Sequence, residues 1–147
     1  MNTIGKKKKL KEDGILFCGS NATDVTGSMT LIKFCGKQIL LECGLYQDNS
    51  YLEAYKINSE KFKFDPTEID YVFVGHTHID HIGLLPRLVK EGFTGKIILT
   101  YATSVMAKYL LLNCAFIVAD EARVLSKRYG REYEPLYSED DVWNTIN

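Results

Sequence analysis

Ile69-Asp70-Tyr71-Val72-Phe73-Val74-Gly75-His76-Thr77-His78-Ile79-Asp80-His81-Ile82-Gly83 is the stretch from which the rest of the chain is read. Its first six residues are a nearly continuous β-branched and aromatic run, the pattern of a strand buried on both faces. Its second half holds all three histidines of the 147-residue chain, with a carboxylate between the last two. Neutral imidazole and carboxylate are preferred ligands of zinc and similar divalent ions, and three imidazoles so close together are poor core filling. In extended backbone His76 and His78 share a face, while Asp80 and His81 fall at the turn into a helix. The stretch reads as a metal site on a strand-to-helix loop, where layered α/β architectures deliver functional side chains. Lone histidines at strand ends are commonly just hydrogen-bonded, but three with an aspartate at this spacing favour ligation. The spacing names neither metal nor substrate.

Upstream, short apolar runs alternate with turn residues, as in a strand-rich segment. Ile15 to Cys18 reads as a first strand, Gly19 to Asp24 as a turn, Met29 to Phe34 as a second strand and Lys37 to Glu42 as a third. Cys35-Gly36 is a hairpin turn between the last two. A long polar connection follows, Tyr46 to Asp65, whose three tyrosines and two phenylalanines imply that it packs on something. Pro66 to Ile69 looks like a short helical turn with proline near its start.

Downstream, Ile82, Leu85, Leu88 and Val89 recur at helical spacing, with Pro86 tolerated in the first turn and Gly92 as the stop. Lys96 to Thr100 is the next strand. Thr103 is positioned to cap a long helix, Val105 to about Tyr129, with Met106, Tyr109, Leu110, Leu112, Cys114, Phe116, Ile117 and Ala119 on its apolar sides. Its second half carries a charged face that reads as solvated surface. Gly130 ends it, Glu134 to Tyr137 is extended, and Ser138 followed by Glu139, Asp140 and Asp141 opens another helix.

The length suits one domain, and 46% hydrophobic residues can build a core. With 18 basic and 19 acidic side chains, bulk charge argues neither for nor against a nucleic-acid partner. No apolar run of membrane-spanning length stands out, so no membrane partner is expected. Cys18, Cys35, Cys43 and Cys114 lack metal-type spacing and read as reduced thiols of a cytoplasmic protein. Residues 1–13, with Lys6 to Lys9 and Lys11, read as a basic, flexible terminus.

His76-Thr77-His78-Ile79-Asp80-His81 resembles the HxHxDH signature of the metallo-β-lactamase superfamily. Asp24-Val25-Thr26-Gly27-Ser28, Ile39 through Gln47, Asp80 through Pro86, Gly92 through Thr100 and Glu134 through Tyr137 narrow the resemblance to the superfamily's β-CASP nucleases. The resemblance covers nearly everything from Gly14 onward. It implies an α/β fold: the N-terminal part of an αββα sandwich, with a mixed sheet and flanking helices over residues 14–147. It also implies two zinc ions, with His76 and His78 on the first and Asp80 and His81 on the second. In the family, a metal-bound hydroxide attacks an RNA or DNA phosphodiester, and Asp80 would orient or deprotonate that water. Thr26 and Ser28 would support the metal loop, unless their segment is an ordinary strand connection.

Glu42 stands where the family usually has aspartate, and its extra methylene displaces a carboxylate expected to hydrogen-bond a ligand histidine. Asn113-Cys114 replaces a common aspartate-serine pair. The family's remaining ligands, a histidine and a bridging aspartate, and its cap domain would lie beyond Asn147, so the chain is expected to be an incomplete, inactive part of a longer enzyme. Nucleic acid, RNA foremost, is the implied partner, and a homodimer is open. Hydrolysis of a small ester or thioester, or a non-catalytic interaction module, are the competing functions.

Overall fold

The computed structural model describes residues 12–19 and 26–147. The basic run through Lys11 and turn residues 20–25, Asp24 among them, lie outside the described residues. Five strands form one mixed sheet in chain order: β1 (Gly14–Phe17), β2 (Thr30–Phe34), β3 (Lys37–Leu41), β4 (Tyr71–Phe73) and β5 (Lys96–Ile98). The first three pair antiparallel, with Ile15 opposite Ile32 and Leu31 opposite Leu40. The β2–β3 turn places Cys35 at φ 48° and Gly36 at φ 76°. Two positive φ angles match the right-handed strand twist, which is why so short a turn closes the hairpin.

From β3 onward pairing is parallel, Leu40 beside Val72 and Val72 beside Ile97. Parallel neighbours need crossovers, and helices supply them. The β3–β4 crossover holds α1 (Tyr51–Ser59) and a 3₁₀ turn at Pro66–Glu68; the β4–β5 crossover holds α2 (Ile79–Ile82) and α3 (Leu85–Lys90). Then follow α4 (Tyr101–Tyr129) and α5 (Glu139–Ile146).

The long polar connection Tyr46 to Asp65 does pack on the core, through Phe62 and Phe64, but it also holds helix α1, which was not expected. Ser50 caps it by accepting from the Glu53 amide. Its apolar residues do not form a strong stripe. The stabilising contacts come from elsewhere: Leu52 and Tyr55 pack on Ala122, Leu125 and Tyr133, and buried Arg87 donates to the carbonyls of Asn58, Ser59 and Glu60 at its end. A guanidinium there satisfies orphan carbonyls and faces the negative end of the helix dipole.

Leu31, Leu40 and Val72 on one sheet face join Leu85, Leu88, Leu111, Val118 and Val142 of the helices in one core. The other face is open: Phe17 is 61% and Phe73 40% exposed, with Ile15, Leu41 and Ile98 exposed beside them. The β4 strand is therefore buried on one face and shorter than its apolar run predicts. Strand periodicity cannot reveal whether a second layer covers the opposite face.

In α4 the buried stripe is Ala107, Leu111, Cys114, Ala115, Val118, Ala122 and Leu125. Met106, Tyr109, Phe116 and Ile117, expected on its packed sides, are exposed, Phe116 by 74%. A helix apolar nearly all round does not announce which stripe meets the sheet. Its cap is Thr100, whose hydroxyl accepts from the Thr103 amide at 3.2 Å, rather than Thr103 itself. Length and composition would also allow α4 to cross a membrane, contrary to the reading that no such stretch exists. Here its buried stripe packs into the core. Gly130 closes α4 at φ 65°, and a capping box between Ser138 and Asp141 opens α5.

All four cysteines are free. Burial holds the Cys43 and Cys114 thiols above their usual range and pushes Cys18 up to about 11, while Cys35 is exposed at the hairpin tip.

Candidate metal centre

The β4 strand ends at Phe73; Val74 bonds once more to Ile98, 2.9 Å, and the chain then leaves the sheet. Gly75, His76 and Thr77 run without regular structure to His78, the cap residue of α2, so Asp80 and His81 occupy that helix's first turn. The imidazoles converge: ring centroids are 4.6 Å apart for His76 and His78 and 4.0 Å for His76 and His81. The Asp80 carboxylate lies 3.5 Å from Nε2 of His81.

Glu42 meets this cluster from the end of β3. Its backbone is left-handed, φ 59°, unfavourable by about 1–3 kcal/mol for a residue with a side chain. That conformation turns the carboxylate toward the loop. Oε1 accepts the Gly75 amide at 3.0 Å, and Oε2 stands 3.6 Å from Nδ1 of His81. Both Oε2 and Nδ1 are buried without a hydrogen-bond partner. Donor atoms of Glu42, His76 and His81 lie within 4.8 Å of one another.

Separations of 3.5–3.6 Å exceed the usual 2.7–3.2 Å of a hydrogen bond, yet desolvated lone pairs need a partner. Two imidazoles and a carboxylate, His76, His81 and Glu42, converging with such atoms unsatisfied fit a divalent cation, whereas His78 beside His76 and Asp80 beside His81 stand outside that group of donor atoms. The arrangement also allows His81 to face an ion with one nitrogen while Glu42 holds the other, the usual way a ligand ring is oriented.

Backbone packing locks the loop in place. The Ser28 amide donates to the Asp80 carbonyl (2.9 Å), Cys43 to that of His81 (2.8 Å) and Leu45 to that of Ile79 (3.0 Å), while the Gly44 amide donates to Ser28. Gly44 permits this approach, since a Cβ there would stand 1.6 Å from the Asp80 carbonyl oxygen. At Gly75 a Cβ would crowd Oε1 of Glu42 at 2.9 Å. Ser28 thus reaches the loop through its backbone. The Thr26 hydroxyl instead accepts from the Gln47 amide at 3.1 Å.

In the sequence Gly44 follows the third strand and belongs to the Ile39 through Gln47 resemblance, with no role of its own. The signal was its place between Glu42 and Leu45, but a backbone-to-backbone approach has no local periodicity to betray it.

The profile of the metallo-beta-lactamase superfamily matches residues 22–137. A ribonuclease of Thermus thermophilus is 42% identical over 100 residues, which is 68% of this chain and 22% of that protein. An endoribonuclease of Yarrowia lipolytica is 33% identical over 126 residues, 84% of this chain and 14% of its own length. The Arabidopsis thaliana cleavage and polyadenylation specificity factor subunit 3-I is 37% identical over 92 residues, 62% of this chain and 13% of that protein. The chain thus spans about a fifth or less of the length of these curated relatives. Among solved structures, a metallo-beta-lactamase from Cronobacter sakazakii is 21% identical, with 86% of this chain and 43% of that one covered at a TM-score of 0.43.

Proposed function

This chain belongs to the metallo-beta-lactamase superfamily, and from that premise we propose that its His76–His81 loop serves zinc-dependent hydrolysis of RNA phosphodiesters in the whole protein. The observation that carries the reading is the approach of donor atoms of Glu42, His76 and His81 to within 4.8 Å of one another, with His78 packed on His76, Asp80 3.5 Å from His81, and Nδ1 of His81 and Oε2 of Glu42 desolvated and unpaired. RNA is favoured because the matched relatives include a ribonuclease and an endoribonuclease. In this reading the chain is of the β-CASP type, as its flanking motifs resemble.

His76 and His78 hold one zinc ion; Asp80 and His81 serve a second. When bound, such ions supply Lewis acidity and lower the pKa of water. The remaining work falls to the chain. Asp80 orients the attacking water and accepts its proton at a carboxylate oxygen. Glu42 would accept a hydrogen bond from Nδ1–H of His81 as the two close from 3.6 Å, leaving Nε2 as the ligand atom. Gly75, by its amide, keeps Glu42 from turning away. Two ligands per ion are few, so we infer that the whole protein supplies more and that residues 1–147 alone do not cleave RNA. The four free thiols suit a reducing compartment and support a cytoplasmic location.

The test uses the whole protein loaded with zinc, offered single-stranded RNA and a generic thioester. RNA cleavage abolished by Asp80→Ala is the expected result. Cleavage of the thioester alone would replace RNA with a small-molecule substrate, and zinc content unaltered by His76→Ala together with His78→Ala would remove the metal site.

A further inference from the structure

A cavity of about 180 Å³ lies between α4 and the segment Leu45 to Asp48. One of its walls is Ile79, the residue between His78 and Asp80, so the cavity abuts the metal loop. Its size exceeds the ~150 Å³ that accommodates a benzene ring in a protein interior. Leu110, Val118 and Leu136 make much of its lining apolar.

Several of its polar groups are already engaged. Asn58 accepts the Tyr46 amide and donates to the Tyr46 carbonyl, both at 2.8 Å, and Cys114 accepts the Tyr137 hydroxyl at 3.0 Å. Asn113 and Glu121 are different. With Ile117 they sit at intervals of four residues on α4, hence along one side of the helix, and all three line the cavity. Among the described residues Glu121 has no hydrogen-bond or ion-pair partner. Burial, aided by the neighbouring Asp120 charge, holds its carboxyl above the usual range.

We infer that this cavity is a guanine subsite, in which the Glu121 carboxylate accepts hydrogen bonds from N1 and the exocyclic N2 of the base while Asn113 serves its remaining polar edge. The inference rests on reading the protein as an RNA-cleaving enzyme, and it places one base of the substrate beside the metal loop. A single-stranded base is recognised when it is splayed out, packed against protein side chains and paired along its Watson–Crick edge. A carboxylate offers two acceptors and no donor. Guanine alone among the four bases presents two adjacent donors on that edge; adenine and uracil each oppose one carboxylate oxygen with an acceptor.

Guanosine, adenosine and uridine monophosphates are titrated into the protein in the presence of a chelator, so that binding is read without cleavage, by calorimetry or by amide shifts of residues 113–121. The guanosine nucleotide is expected to bind about tenfold tighter than the others, in line with one well-formed bidentate pair. Glu121→Gln, nearly identical in shape, is expected to erase that preference. Ile117→Trp, at an exposed position, is expected to fill the cavity and block binding of all three. Equal affinities in the unaltered protein, no measurable binding, or a preference that survives Glu121→Gln would overturn the subsite, even if RNA were cleaved. Selective guanosine monophosphate binding by a protein that leaves RNA intact would uphold the subsite and overturn the nuclease reading.

Discussion

At Gly44 there is no room for a methyl group, because the Asp80 carbonyl would lie 1.6 Å from it. Gly44→Ala must therefore separate the Glu42–Leu45 segment from the loop, disrupting the Cys43–His81 and Leu45–Ile79 amide bonds that join the two directly. The expected cost is about 3 kcal/mol or more, in the range of the severe single substitutions, and urea unfolding measures it. A loss under about 1 kcal/mol would show that the approach is not required. Glu42 makes a subtler contribution. Its left-handed backbone sets one carboxylate oxygen on the Gly75 amide and the other 3.6 Å from Nδ1 of His81. Glu42→Gln preserves size but removes the charge that attracts the His81 ring proton. Zinc affinity, read by competition with a chromophoric chelator, is expected to fall roughly 10- to 100-fold; an unchanged value would mean that Glu42 does not orient the ring.

Among the elements, α4 shows how a small group can determine a long helix. Thr100 satisfies the amide of Thr103, while Thr103 is itself a buried residue whose hydroxyl lies 2.9 Å from that of Thr100. Thr100→Ala is expected to lower stability by about 1 kcal/mol, the usual worth of an N-cap, without shifting the core. A neutral result in thermal or urea unfolding would argue that α4 draws its start from packing alone. The edge of β4 carries a second electrostatic device. Lys37 donates to Asp70 at 2.6 Å and the Gln38 amide donates to the same carboxylate at 2.9 Å, tying β3 to the start of β4. The lysine hydrogen bond, chiefly, holds Asp70 below the ordinary carboxylate range and raises Lys37 above its own. A depressed folded-state value stabilises above the unfolded pKa of about 4. That contribution disappears as acid protonates Asp70. Asp70→Asn should therefore be less stable than the unaltered chain at neutral pH, and the two unfolding curves should converge below the depressed value. Parallel curves at every pH would mean that the carboxylate charge adds nothing.

Across the whole molecule, the two sheet faces have opposite fates. Val72 is wholly buried, so Val72→Ala is expected to cost about 2–3 kcal/mol through lost burial and the cavity left behind. Phe17, on the open face and 61% exposed, sits in an apolar patch with Ile15, Leu41, Phe73 and Ile98. Contiguous apolar surface of this kind invites association. Phe17→Thr is expected to alter stability by under about 0.5 kcal/mol while reducing light scattering by the 147-residue chain. A large stability loss would show that Phe17 is packed after all.

The division between what was legible and what was not follows from the range over which each feature is specified. The β4-loop-α2 order with its histidines on the loop, the Cys35-Gly36 turn, the Gly130 stop and the Ser138 capping box were legible, because each depends on residues a few positions apart. The α/β class was legible as what the resemblance of the HxHxDH stretch and its flanking motifs implied. Helix α1 was not legible, since its stability comes from Arg87 and from α4. Nor was the buried stripe of α4, where several stripes are equally apolar and only the sheet selects one. The reach of Glu42 to His81 and the contact of Gly44 with Asp80 likewise arise where segments distant in sequence are pressed together by burial. The sequence by itself determined which groups are available to hold a metal. Only tertiary packing decided that the unpaired nitrogen of His81 faces a carboxylate from β3, because that distance is set by the sheet and not by the spacing along the chain.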